Sequence, residues 1–228
     1  MHLQKAVSPF DLFVRALGVG PQVNLIRYDP DAPLHDRYKI DFGFVDASEQ
    51  RLLEYMVLTI NTFFGWDFNS CESLRREGVF HPIDFANPCP DSQVTSLHYH
   101  IPWLVKAKIR WSMFCAVTRR PMHLTPQWDE FLAIADTDMP YPEKLAAYGD
   151  IARSRLDADR FAEFCDGHLG ELDEVAYDYF ATDRARQIVQ NKVATMFPEH
   201  EVGHFTDHFW GLIQFWRQTE ADRMGRDA

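Results

Sequence analysis

Three oxygen-bearing side chains stand close in sequence: Glu72 in WDFNSCESL, then Asp84 and Asn87 in VFHPIDFANP. Two carboxylates and an amide oxygen are donors that a hard divalent cation such as Mg2+ takes, usually shared with substrate phosphates. For them to meet, two strands must pair about a tight turn. RREG supplies one at Glu77-Gly78, which sets Glu72 near Asp84. A purely structural account leaves both acids as solvated edge residues and makes NPCPD an Asn-Pro turn, with Asn87 and Asp91 bonding their own backbone.

A second set, HEVGH from His200 to His204, has the histidine spacing of a zincin helix, with Glu201 beside the first ligand as general base. The continuation, HFTDH, lacks the glycine and histidine of the longer metalloprotease pattern. Pro198 suits a first helical position, and Glu199 and Glu201 suit a first turn. At about 100° per residue, Val202, Phe205, Phe209, Leu212, Ile213 and Trp216 share one apolar face, flanked by His204 and His208. HEVGH is therefore expected to open a packing helix, with a zinc site as the alternative.

The elements that must position these residues divide the chain in two. FVRALGVG and VNLIRY read as two strands joined by a Gly-Pro turn, and KIDFGFV as a third short strand. SEQRLLEYMVLTINTFF has helical spacing, with Ser48 as N-cap and Gly65 as its stop. The ligand-bearing strand pair follows. From about residue 96 the pattern is helical: SLHYHIPWLVKAKIRWSMFCAV, QWDEFLAIAD, PEKLAAYGDIARSRL, DADRFAEFCDGHL, TDRARQIVQNKVATMF and a terminal segment from Pro198. The expected class is α+β: a small, mainly antiparallel sheet with one crossing helix in residues 1–95, then an all-α extension in residues 96–228. His98 and His100 read as helix-start residues. Trp103, Trp111, Phe209, Trp210, Phe215 and Trp216 read as core or interface. Lys106, Lys108 and Arg110 read as a solvated or ion-paired surface, and Arg37 and Lys39 as strand-edge charges.

With 228 residues, the chain can bury one sizeable core and a second small unit. Its 34 acidic and 23 basic residues leave a net charge of -11, which opposes nucleic-acid binding and favours small-molecule or protein partners. Cys71, Cys89, Cys115 and Cys165 show no CxxC spacing, so a reducing cytoplasm is expected. The start lacks a signal pattern, and the most apolar run is broken by Lys106, Lys108 and Arg110, so no membrane span is expected.

The order of these features resembles the carboxy-terminal lobe of the ATP-grasp superfamily of carboxylate–amine ligases. In that family a helix ends in a small glycine turn, an acidic metal ligand follows on one strand, and a second acid and an asparagine follow on the next. The resemblance covers about residues 3 to 95 and implies that Glu72, Asp84 and Asn87 bind Mg2+ and, through it, ATP. LQKAVSPFDLFVRALGVGPQVNLIRYDP resembles the hinge strand and following hairpin, which implies a phosphate- or substrate-contacting role for Arg27, with Arg15 as a second candidate. Two residues separate Asp84 from Asn87 where the family has one, and the order of Glu and Asp is reversed. The helical remainder has no counterpart there, and the preceding ATP-covering part has no room before Met1, so the chain reads as an incomplete copy.

The resemblance implies an ATP- and Mg-dependent ligase that activates a carboxylate as an acyl phosphate for attack by an amine. Its expected partners are a small-molecule carboxylate and amine, together with a homo-oligomer or another chain that supplies the missing lobe. The alternatives are a non-catalytic scaffold with a helical interaction surface, and a zinc hydrolase built on His200, Glu201 and His204.

Overall fold

The computed structural model describes residues 6–122 and 125–226. Its sheet has four strands, β1 (Leu12–Val19), β2 (Gln22–Arg27), β3 (Phe68–Arg76) and β4 (Val79–Pro88), in the order β2-β1-β3-β4 with every neighbouring pair antiparallel. Gly20 turns the first hairpin at φ 53°, where any side chain would be strained. A Cβ there would also fall 2.3 Å from the Trp111 ring. Glu77 and Gly78, both at positive φ, turn the second hairpin as a primed two-residue turn requires.

The crossing helix α1 (Ala47–Phe64) joins β2 to β3 and ends at Gly65 in the left-handed region, as its sequence predicts. Its N-cap is Asp46 and not Ser48. The Asp46 Oδ1 accepts from the Ser48 and Glu49 amides at 2.8 and 2.9 Å, and Glu49 reaches back to the Asp46 N–H at 3.2 Å. An aspartate with a glutamate three residues on forms a complete capping box, which Ser48 would lack.

KIDFGFV forms no strand. One bridge, Tyr28 to Tyr38, joins this stretch to the sheet edge, after which the backbone bends away. Lys39 explains the diversion. Its N–H bonds the Arg27 carbonyl, but its own carbonyl accepts from the His100 ring at 3.2 Å, so the chain leaves the sheet for the helices. Of the expected hinge strand, residues 3–5 lie outside the described residues, and residues 6–10 carry no strand.

The helical part comprises α2 (Val94–Leu97), a 3-10 turn (His98–His100), α3 (Ile101–Thr118), α4 (Asp129–Ala135), α5 (Tyr141–Arg155), α6 (Ala158–His168), α7 (Leu172–Tyr179), α8 (Asp183–Ala194), a second 3-10 turn (Glu199–Glu201) and α9 (Val202–Met224). α7 lies outside the segments whose spacing predicts a helix, although Asp173 and Glu174 mark its first turn. Among the described residues no helix is long and apolar enough to cross a membrane.

Strand alternation gives the sheet two different faces. Val14, Ala16 and Gly18 point to α1, where a Cβ on Gly18 would meet the Asn61 amide at 2.6 Å. Beyond α1 lies α5, whose Gly149 leaves room for the Tyr55 ring. The opposite face carries Arg15 and Leu17, and α3 closes one end of it. There the Gln22 Nε2 donates to the Ala107 carbonyl at 2.9 Å, and Lys108 lies over the Phe68 ring at 4.3 Å. One apolar cluster joins Leu17 and Ile26 of the sheet to Leu104, Trp111, Phe114 and Phe161 of the helices, and so spans the change of texture near residue 95. A second cluster, with Tyr99, Phe180, Val189, Val193, Phe209, Ile213 and Trp216, is helical throughout.

Candidate functional site

The three oxygen donors share the sheet face opposite α1, and β4 brings them there by departing from regular register. Counting back from the Glu77-Gly78 turn, Arg76 faces Val79 and Ser73 faces Pro82, so a regular ladder would put Ile83 opposite Glu72 and Asp84 opposite Cys71 on the buried α1 face. Instead, β4 gains one residue and Asp84 stands opposite Glu72. It gains another before Asn87, which stands opposite Ser70. Each bulge restores the parity lost to the sequence spacing, so Asp84 and Asn87 share a face despite the two residues between them. Ser70, two residues before Glu72, is part of the same surface. Period-two alternation in NSCESL is the signal that could have found it.

Arg15 lies across the ladder from Glu72 on the neighbouring strand β1. It is buried, 4% exposed, and among the described residues no carboxylate lies within ion-pair distance of it. Its Nη2 donates to the Ser70 Oγ at 3.3 Å, its guanidinium lies 5.1 Å from the Tyr38 ring centre, and its Nε has no hydrogen-bond partner. Burial holds its pKa below the ordinary arginine value, against the raising pull of Glu72, Asp91, Tyr28 and Asp84. Burial likewise raises the Glu72 carboxyl above the usual range. The Arg15 charge lowers it, and the neighbouring Asp84 charge raises it further.

Asn87 donates its backbone N–H to the Asn69 Oδ1 at 3.0 Å and its Nδ2 to the Ser70 Oγ at 3.5 Å. No described donor bonds its Oδ1. Asp91 follows the structural account: its Oδ1 accepts from the Gln93 amide at 3.0 Å, a local turn bond, and its Oδ2 accepts from Ser96 at 2.6 Å.

The structure does not bring Arg27 to this face. Arg27 pairs with Val14, which points toward α1, and its Nη1 donates to the Asp41 Oδ2 at 2.6 Å near the surface. His200 and Glu201 lie in a 3-10 turn and His204 in the first turn of α9, with both histidines exposed. Phe205, Phe209, Ile213 and Trp216 pack into the helical cluster, as the apolar face predicts. Among the described residues no set of three or more His, Cys, Asp or Glu side chains is placed to hold a metal ion.

Two carboxylates and one amide oxygen thus form the donor set of the sheet face. They fit a cation that keeps several waters and takes further oxygens from a phosphate, which is the habit of Mg2+ more than of Zn2+ or Ca2+. The adjacent guanidinium, with an unsatisfied Nε, suits the anion that would accompany it. Tyr38, whose ring lies over that guanidinium, carried no sequence signal of a role. Comparison of the chain with protein-family models, with curated proteins and with solved structures returned no match.

Proposed function

We propose that the face carrying Arg15, Glu72, Asp84 and Asn87 binds Mg2+ together with the phosphates of ATP, and that the chain acts as the corresponding lobe of an ATP-grasp-type ligase. Such an enzyme would activate a small carboxylate as an acyl phosphate for attack by an amine. The observation that carries this reading is Arg15, a buried guanidinium without an ion pair, set beside two carboxylates that face each other across a ladder. Like charges directly opposite are unfavourable, and an unpaired buried charge costs several kcal/mol. A cation between the acids and an anion at the guanidinium would relieve both.

In that reading, Glu72, Asp84 and the Asn87 Oδ1 would hold Mg2+, which supplies charge neutralisation for phosphoryl transfer when bound. Arg15 would donate from its Nε to a phosphate or acyl-phosphate oxygen, with Ser70 fixing the guanidinium from the other side. Tyr38 would limit water beside that charge. Arg27, engaged by Asp41, falls outside this set.

Thermal unfolding with and without Mg·ATP tests the proposal. Wild type is expected to gain about 2–3 kcal/mol at a ligand concentration near 100 times Kd, and Asp84→Asn to lose that response. A wild type that melts identically with and without Mg·ATP would overturn the reading. That result is what a scaffold predicts, for which the supporting observation is the solvent-facing apolar stripe of Val105, Ile109, Met113 and Val117 along α3.

A further inference from the structure

The segment from Asp29 to Val45 reaches from the Arg15 face to α9 and is held at both ends of that span. At the front, Tyr38 bridges Tyr28 and lies over the Arg15 guanidinium, and Arg37 donates to the Tyr28 hydroxyl at 3.3 Å. At the back, Ile40 packs against the helical cluster, the His35 ring meets the Phe205 ring at 5.1 Å, and the Lys39 carbonyl accepts from the His100 Nε2.

Four imidazoles gather at the back. His35 comes from the segment itself, His98 and His100 from the 3-10 turn, and His208 from α9. The His35 and His208 rings stand 5.7 Å apart, and those of His98 and His100 6.2 Å apart. The described carboxylate set against them is Asp36, 3.5 Å from the His208 Nε2 and 3.9 Å from that of His35. Lys39 adds a positive charge, which is partnered by Asp29 at 3.4 Å. On α9, His204 is exposed and Asp207 is taken by Arg186. The neighbouring α2 carries no titratable side chain.

The geometry favours neutral rings at His98 and His100. The His98 Nδ1 accepts the Tyr99 N–H at 2.8 Å, and a proton on that nitrogen would face another proton. His98 is 2% exposed, and burial, then the charges of His100, His208, His35 and Lys39, push its pKa down to about 3. Burial pushes that of His100 down to about 4, despite its bond to the Lys39 carbonyl.

We propose that residues 29–45 form a proton-operated strap over the Arg15 face, latched while the His98 and His100 rings are neutral and released in mild acid when they take up charge. Release lifts Tyr38 from the guanidinium and opens the face to solvent. Its consequence for an anion rests on the reading of Arg15 given above, whereas the latch rests on the histidines alone. A histidine that ionises normally in the open form but only near pH 3 in the closed one favours opening about 30-fold at pH 5.

Amide hydrogen exchange at pH 7.5 and pH 5, corrected for the intrinsic pH dependence of exchange, tests the latch. The reporting amides are Asp29, bonded to the Arg37 carbonyl, and Lys39, bonded to the Arg27 carbonyl. Their protection is expected to fall about 30-fold or more at pH 5 and to lie well below that of β3 and α9, which exchange only when the whole protein unfolds. His98→Asn, which removes the imidazole, should flatten that change; His100→Gln, at a partly exposed site and with an amide that can still donate to the Lys39 carbonyl, should reduce it should the first variant fail to fold. Equal protection at both pH values, or Asp29 and Lys39 amides as protected at pH 5 as those of β3 and α9, overturns the strap. Thermal shift with Mg·pyrophosphate at pH 7.5 separates the two proposals. A missing shift removes the anion reading and leaves the strap standing, and a clear shift with pH-invariant exchange does the reverse.

Discussion

Asp84 stands opposite Glu72 across the β3–β4 ladder because β4 gains a residue between its turn and that pair. A further gain then sets Asn87 opposite Ser70, so two local irregularities turn both oxygen donors to the face that holds Arg15. Bulges concentrate beside functional sites because they re-aim side chains without breaking the sheet.

The opposed acids carry a repulsion that a cation removes. Asp84→Asn is therefore expected to raise the stability of the ligand-free protein slightly, by about 0.2–1 kcal/mol, while abolishing stabilisation by Mg·ATP. Chemical denaturation with and without Mg·ATP reads both effects. A variant less stable than wild type when free of ligand would show that the attraction of Asp84 to Arg15 outweighs its repulsion of Glu72.

Arg15→Met exchanges a buried unpaired charge for an apolar side chain of similar reach. Its stability without ligand is expected to equal or exceed that of wild type, as apolar replacements of buried ions often do. Arg15→Lys should keep the charge but lose the forked donor geometry and with it most of the anion response. Thermal shifts with pyrophosphate compare the three proteins. Strong destabilisation of Arg15→Met would assign the guanidinium a structural task instead.

Stability should fall in acid through His98 and His100. Both have folded pKa values below the ordinary histidine value near 6.5, so the unfolded chain binds more protons and stability drops as pH falls from about 6.5 toward about 4 for His100 and about 3 for His98. The contribution of His98 alone is about 2 kcal/mol at pH 5. Urea unfolding from pH 7.5 to pH 4.5 measures the slope, and His98→Asn should make it shallower.

Gly20→Ala should destabilise by about 2–3 kcal/mol, because the new Cβ meets both a left-handed backbone and the Trp111 ring. Gly78 also has positive φ but open space around it, so Gly78→Ala should cost less. The difference between the two midpoints in denaturant isolates the packing part.

Removing the α1 cap tests a purely local assignment. Asp46→Ala should cost about 1 kcal/mol, and Ser48→Ala much less, since the Asp46 carboxylate makes the capping bonds. Equal losses would return the cap to Ser48.

Local signals were legible wherever one residue type settles a backbone choice. Gly20, Gly65 and Glu77-Gly78 fix the turns and the end of α1, and the apolar spacing of Phe205, Phe209, Ile213 and Trp216 fixes the packed face of α9. Local signals do not decide where a residue has two partners to choose between. KIDFGFV has strand composition, but the Lys39 carbonyl goes to His100, which lies far away in sequence. Arg27 ends a strand as a ligand-binding arginine would, but Asp41 claims it on the other side of the sheet.

By itself the sequence determined the hairpins, the crossing helix and the residue types offered for the candidate site, because turn geometry, capping and periodicity act over a few neighbouring positions. Only the tertiary structure decided which face Asp84 occupies, that Arg15 is buried without an ion pair, and that four histidines from three separate segments meet. Those outcomes depend on register and on contacts between distant segments, and a shift of one residue in a ladder turns a side chain from one face to the other.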